Sequence, residues 1–416
     1  MKRIIGIGAM WMLAAAGAMG AEAKKADRTF GEDVAFLRQH VETVVLTGPS
    51  GRRVAVVPAY QGRVMTSSAL GEDGASFGFL KYDVIARGVP PEAERKGLDR
   101  HILVFGGEER FWIGPEGGQH AIYFPPGTTN FTFDAWKTPP LIDDAAYEVV
   151  ESTRDAVTFK ATGTLTNVAG TVFGLGIQRT VRLLDEPALA QALGGKLPPG
   201  LAVVGYETDN RLQNPYGPEW TRDTGLLSIW LLGMFKPGPR TTVVIPVVPG
   251  DAAKLGPAVN TDYFGPVAGD RLVVTNGVAF FKCDGKSRTK IGIPRARAKP
   301  VCGSWDAAAG VLTVVRYNLP AGAASLPYVK SQWAIHADPY VGDVINAYND
   351  GPNETGDQLG PFYEIETSSP ALPVASGGEI RHVSQTLHLQ GDRADLDAVA
   401  RAALGVGLDA IEKALP

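Results

Sequence analysis

Glu364 and Glu366 stand two residues apart in Pro-Phe-Tyr-Glu-Ile-Glu-Thr. On a strand, that spacing puts both carboxylates on one face. Like charges held close and partly buried push one pKa up, so the pair could divide acid and base roles. A second cluster lies far upstream. Gly106–His120 (GGEERFWIGPEGGQH) packs Arg110, Trp112, Glu116, Gln119 and His120 among glycines. Strand alternation places Arg110 and Trp112 on one face, and the glycines let the backbone bend close to a ligand. A planar aromatic beside Arg, Glu and Gln suits a sugar: the ring stacks on C–H faces and the polar groups bind vicinal hydroxyls. Glu116 and His120 are the titratable candidates for an acid in this segment, the imidazole because its ordinary pKa lies near neutrality.

Two further stretches supply polar groups. Asn210–Phe235 carries Trp220, Arg222, Asp223 and Trp230. Its Leu-Leu-Ser-Ile-Trp-Leu-Leu-Gly-Met-Phe run reads as a core strand, with Arg222 at its start able to reach a cleft. The stretch before the glutamate strand offers Asn349 and Asp350 as partners for hydroxyl groups. It is rich in oxygen ligands but lacks the spacing of an EF-hand loop, so no metal and no cofactor is expected. No phosphate loop, nucleophile elbow, HExxH or dinucleotide fingerprint occurs.

These residues need a scaffold. The 416-residue chain is 44% hydrophobic and 20% charged, a globular balance. Its 50 glycines and 30 prolines are spread between short alternating runs such as RRVAVVPAY, AVTFKATGTL and GVLTVVRYNL, a signature of antiparallel strands and turns. No equal-length repeat points to a propeller. Helical spacing is confined to Phe30–Gln39, with Glu32, Asp33 and Arg38 on its solvent side, and to about 395–415, broken near Gly405–Gly407. No low-complexity linker divides residues 24–416, which read as one all-β domain, two large stacked antiparallel sheets with a C-terminal helix.

Lys2 and Arg3, an apolar run to about Ala18 and small residues up to Ala23 have the order of a signal peptide over residues 1–23. A periplasmic or secreted protein is therefore expected, with no membrane span. A formal net charge of -4 offers no basic field for nucleic acid. Cys283 and Cys302, the two cysteines, flank a polar, basic stretch that reads as an excursion between two strands. In an oxidising compartment they are expected to form a disulfide.

Gly360–Leu389 resembles the late part of the aldose 1-epimerase (galactose mutarotase) superfamily. Glu366, Thr367, Pro370 and Gly378-Glu379 match a glutamate strand and the turn into the closing strand, on which Thr386, Leu387 and His388 fall. Gly106–Gln119 is similar to a Gly-Gly…Trp…Pro-Glu stretch of secreted mutarotase-like proteins. The resemblance implies a β super-sandwich, carbohydrate as partner, and Glu366 as the base. That family draws its acid from a mid-chain histidine, and no histidine lies between His120 and His336. Only Glu366 carries over, and His120 is the best replacement acid. Ordinary mutarotation is thus doubtful; an epimerase, lyase or glycosidase fits, and so does a non-catalytic sugar-binding or scaffold protein.

Overall fold

The alternating runs fold into strands, and every ladder between them is antiparallel. The computed structural model describes residues 28–353 and 356–416; the expected signal segment lies outside them. The strands are β1 Val44–Thr47, β2 Arg53–Val57, β3 Arg63–Ser68, β4 Arg110–Gly114, β5 Glu148–Ser152, β6 Ala156–Thr166, β7 Val172–Leu183, β8 Ala202–Gln213, β9 Ser228–Phe235, β10 Thr241–Pro246, β11 Leu272–Thr275, β12 Val278–Lys282, β13 Thr289–Pro294, β14 Val301–Asp306, β15 Val311–Tyr317, β16 Asp343–Asn349, β17 Tyr363–Ser368 and β18 Glu379–Gln390. Ten of them form one sheet in the order β11-β12-β10-β14-β15-β18-β8-β7-β6-β5. Facing it is a five-stranded sheet, β13-β16-β17-β9-β4, which a bridge between Val64 and Glu109 continues into the three-stranded sheet β1-β2-β3.

Period two decides what lies between the layers. Ile291, Ile293, Ile345, Ala347, Tyr363, Ile365 and Phe235 of the five-stranded sheet pack against Val243, Ile245, Phe281 and Val315 of the larger one. Each Val, Ile and Phe among them contributes about 1.5–3 kcal/mol on burial. Polar contacts cross the same interface. Arg179 on β7 meets the Glu109 carboxylate at 2.9 Å. The His388 ring on β18 lies 3.1 Å from Glu108, Thr367 Oγ1 lies 2.9 Å from His382 Nε2, and the Ser304 and Tyr363 hydroxyls are 2.8 Å apart. All eight residues are buried, which makes these cross-links costly to break on one side only.

The two longest helices fall where their spacing puts them, while Tyr82–Arg87 and Glu186–Ala192 are short helices outside the expected segments. Phe30–His40 starts with a Thr29/Glu32 capping box and buries Phe30, Val34 and Leu37. Asp33 departs from the expectation. It is fully buried and accepts hydrogen bonds from the Ser76 and Tyr82 hydroxyls, so its i+3 position on the apolar stripe outweighs its charge. At the C-terminus, Arg393–Leu404 ends at Gly405, whose φ of 74° is the left-handed conformation that glycine tolerates best. Leu408–Lys413 follows. Leu396, Val399, Ala403, Leu404, Leu408 and Ile411 cover Val244, Phe280, Leu312 and Leu387 on the outer face of the ten-stranded sheet.

The expected disulfide is absent: Cys283 and Cys302 are separate buried thiols. Strand β10 runs between β12 and β14. Cys283 donates its amide to Thr241 at one end of β10, whereas the Val244–Gly303 pairing sets Cys302 level with Ile245 near the other end. Two strand spacings of about 5 Å and a four-residue offset of about 13 Å separate them, well beyond the ~7 Å that a disulfide spans. The basic stretch between them is no simple excursion. It contains β13, which leaves the large sheet and pairs with β16 in the other layer.

Candidate functional site

The outward face of the five-stranded sheet forms the floor of a cleft. Register lines up its side chains in rows. Lys290, Tyr348, Glu364 and Met234 form one row; Gly292, Asn346, Glu366, Leu232 and Arg110 form the next; Ser368, Trp230 and Trp112 form a third. All are even-numbered positions, the alternates of the apolar residues that face the core. The cavity above Lys290, Tyr348, Glu364, Met234, Leu232, Arg110, Trp230 and Trp112 holds about 1040 Å³, the upper end of a small-molecule site, and Glu366 is fully buried and does not line it. Phe133 and Phe264 stand at it, 46% and 42% exposed.

Charge is concentrated on this floor. The Arg110 Nη2 atom donates to Glu364 Oε1 at 2.6 Å, reaching across β9. The guanidinium also lies 4.2 Å from the centre of the Trp112 ring, a cation–π contact that favours a planar cation. Lys290 Nζ lies 2.9 Å from Glu366 Oε1 and donates to Oε2 at 3.0 Å. Trp230 Nε1 donates to the same Oε2 at 2.9 Å. Oε1 is buried and engages Lys290 through that ion pair alone. Glu116 follows β4 into the cleft and accepts from Tyr263 Oη at 2.8 Å and Trp333 Nε1 at 3.2 Å. Indole rings of Trp112, Trp136, Trp230 and Trp333 form much of the wall.

Burial governs the titration here. It pushes the Glu364 carboxyl up to about 7; Arg110 pulls the other way and Glu366 adds to the rise. Burial raises Glu116 too, against the opposing pull of Lys290. For Lys290 burial works to lower the pKa, but Glu366, Glu116 and Glu364 outweigh it and the value rises, so the ammonium persists. Asp350, raised by burial, accepts from Tyr348 Oη and the Gly360 amide. The cleft therefore holds proton donors and acceptors side by side at neutral pH, with fixed cations between them.

Of the residues singled out in the sequence, Glu364, Glu366, Arg110, Trp112, Glu116 and Asp350 come together. Four do not. Beyond Glu116 the chain bends away at Gly117-Gly118: a Cβ on Gly117 would sit 2.3 Å from the Gln332 carbonyl, and Gly118 has a φ of 86°. Gln119 therefore pairs with the His336 backbone. His120 stacks on Tyr340 outside the cleft, and burial lowers its pKa. Arg222 is exposed, paired with Asp338 and stacked over Tyr340. Asn349, an odd position on β16, brackets the backbone of Gly285 and Ser287.

Sequence reasoning missed Lys290, Tyr263, Trp333 and Trp136. Lys290 had a signal: Thr-Lys-Ile-Gly-Ile alternates, and a lysine on the opposite face from Ile291 and Ile293 is a cleft or solvent position. The β9 run is a core strand as expected, with Ile229, Trp230, Leu231, Leu232 and Met234 buried in one apolar cluster; what the sequence does not show is that Trp230, Leu232 and Met234 also line the cleft. His101 is also in the cavity wall. Its Nδ1 lies 2.7 Å from the Trp136 carbonyl; a carbonyl only accepts, so this nitrogen carries the proton.

Fold and site define an antiparallel β super-sandwich with an aromatic-walled, charge-paired cleft on its smaller layer. Residues 28–415 match the family of unknown function DUF6786, and the chain belongs to that family. Similar solved structures include the Slr1438 protein from Synechocystis sp. PCC 6803, 11% identical, TM-score 0.49, covering 85% of this chain and 96% of that one. A galactose mutarotase-like protein from Lactobacillus casei ATCC 334 is 9% identical, TM-score 0.44, covering 84% of this chain and 100% of that one. A galactose mutarotase related enzyme from Lactobacillus acidophilus is 8% identical, TM-score 0.42, covering 84% and 99%. No curated protein matches the chain.

Proposed function

We propose that this protein is an exported carbohydrate-active enzyme that works through the Glu364–Glu366 cleft. One observation carries the reading: three buried carboxyls raised by burial, Glu364, Glu116 and Asp350, line a cavity walled by indole rings, with Arg110 and Lys290 among them. Aromatic faces stack on sugar C–H surfaces, and paired charges bind vicinal hydroxyls. Glu366, which matches the base of the mutarotase superfamily, is the base, its carboxylate positioned by Lys290 and Trp230. Glu364 or Glu116 is the acid, because each holds its proton to higher pH than an ordinary carboxyl. Lys290 balances the charge as the proton moves. Epimerisation, elimination and glycoside hydrolysis all need such a set.

A binding protein without catalysis is the second reading. It is favoured by the engagement of each carboxylate with protein donors: Glu364 with Arg110, Glu366 with Lys290 and Trp230, Glu116 with Tyr263 and Trp333. The two readings separate when purified protein is incubated with a panel of sugars and oligosaccharides under NMR. Exchange of anomers or epimers, or release of products, supports the enzyme. Shifts of ligand signals without any conversion support the binding protein, and silence across the panel removes both.

A further inference from the structure

We infer that the ligand is an anionic oligosaccharide that extends from the Glu364–Glu366 floor past Trp136 into a second cavity. The inference rests on the carbohydrate reading above and adds charge and length to it. The second cavity holds about 970 Å³. It adjoins the first, for Gly97, Arg100, His101 and Trp136 line both. Either volume is that of a complete small-molecule site, so the two together exceed what one sugar ring fills. Near-parallel rings run from the rim inwards. Phe133 stacks on Trp136 at 5.9 Å and 18°, and Trp136 on Trp333 at 6.0 Å and 23°.

The charge of the second cavity argues for an acidic ligand. Arg95 and Lys137 line it but are held by Asp144 and Glu92. Lys96 and Arg100 line it, are exposed, and have no carboxylate partner among the described residues. Asp134 is the lining acid left to set against them. At the junction, His101 commits Nδ1 to the Trp136 carbonyl and leaves Nε2 for a ligand. A chain of sugars bearing carboxylates would meet Lys96 and Arg100 while another unit sits over the glutamates.

Calorimetric titration of the full protein with galacturonic-acid oligomers and glucose oligomers, from monosaccharide to tetrasaccharide, tests this. The acidic tetramer is expected to bind best, and the K96Q/R100Q double variant to weaken it by about tenfold, the scale of two partly exposed ion pairs. The K96Q single variant, which touches the second cavity alone, should leave the monosaccharides unaffected, and both variants should keep the parent's melting temperature. The inference falls, and the carbohydrate reading stands, if neutral oligomers bind as tightly as acidic ones. It falls likewise if the acidic monomer matches the tetramer or the double variant binds like the parent. If no sugar of either charge binds, both fall.

Discussion

Arg110 and Glu364 are 254 residues apart in the chain, yet they bond at 2.6 Å across an intervening strand. The pair joins the two segments that carry the chemistry, and it holds a carboxyl whose pKa burial has raised to about 7 from 4.5. A raised folded-state pKa means that the folded protein binds this proton more tightly than the unfolded chain. Its contribution to stability is then fully present below about 4.5 and is lost as pH rises through 7. Denaturant unfolding of the wild type and E364Q across that window should show the wild type losing stability relative to the variant with rising pH. Parallel curves would contradict the assignment.

The Lys290–Glu366 contact has a different signature, because neither partner has water to fall back on. Replacing Lys290 with Met strands a buried carboxylate, and a loss of about 3–5 kcal/mol is expected. The K290M/E366L double variant should recover much of it, since removing both charges is far cheaper than removing one. Urea unfolding of the four proteins in this cycle measures the coupling. Additive losses would mean that the two side chains do not depend on each other.

Glu366→Gln, scored on whatever conversion the sugar panel reveals, should lower the rate at least ~10²-fold. Ligand affinity should change far less. The conservative change keeps an acceptor for Trp230 Nε1, so a variant with normal binding and lost turnover separates base chemistry from collapse of the site. Unchanged turnover would move the base elsewhere.

At the rim, Phe133→Ala and Phe264→Ala remove half-exposed rings. Each should cost less than about 1 kcal/mol of stability, while weakening a sugar ligand severalfold through lost stacking. Melting curves and titrations on the same preparations check both halves. A large drop in melting temperature would mark these rings as structural.

Cys283 and Cys302 should titrate as two free thiols in denaturant without reductant, and scarcely react in the native protein. Both are fully buried, and burial raises both thiol pKa values, which keeps the reactive thiolate scarce. Absence of thiol signal in denaturant would restore the disulfide.

Much of this architecture can be read from the sequence because period two is a local property. It sets Glu364 and Glu366 on one face, and Arg110 and Trp112 on another strand's face. The C-terminal break at Gly405–Gly407 was equally legible. What stayed hidden depends on which strands become neighbours. Lys290 reaches Glu366 only because β13 crosses to the smaller sheet, and its basic flanks disguised it as a connection. Cys283 and Cys302 looked like partners because nothing nearby announces that β10 will slide between them. His120 lies four residues from Glu116, but two glycines turn the chain away.

The buried cross-links from Arg179 to Glu109 and from His388 to Glu108 join the ten-stranded sheet to residues immediately before β4. They pin the start of the strand that carries Arg110 and Trp112. The cleft floor is therefore an anvil: it cannot shear against the layer beneath without stranding charge. Adaptation to a new ligand must fall to the connecting segments that bear Arg100, Phe133, Phe264 and Trp333. Across related chains, divergence should concentrate in that rim, while the charged floor and its anchors change together or not at all.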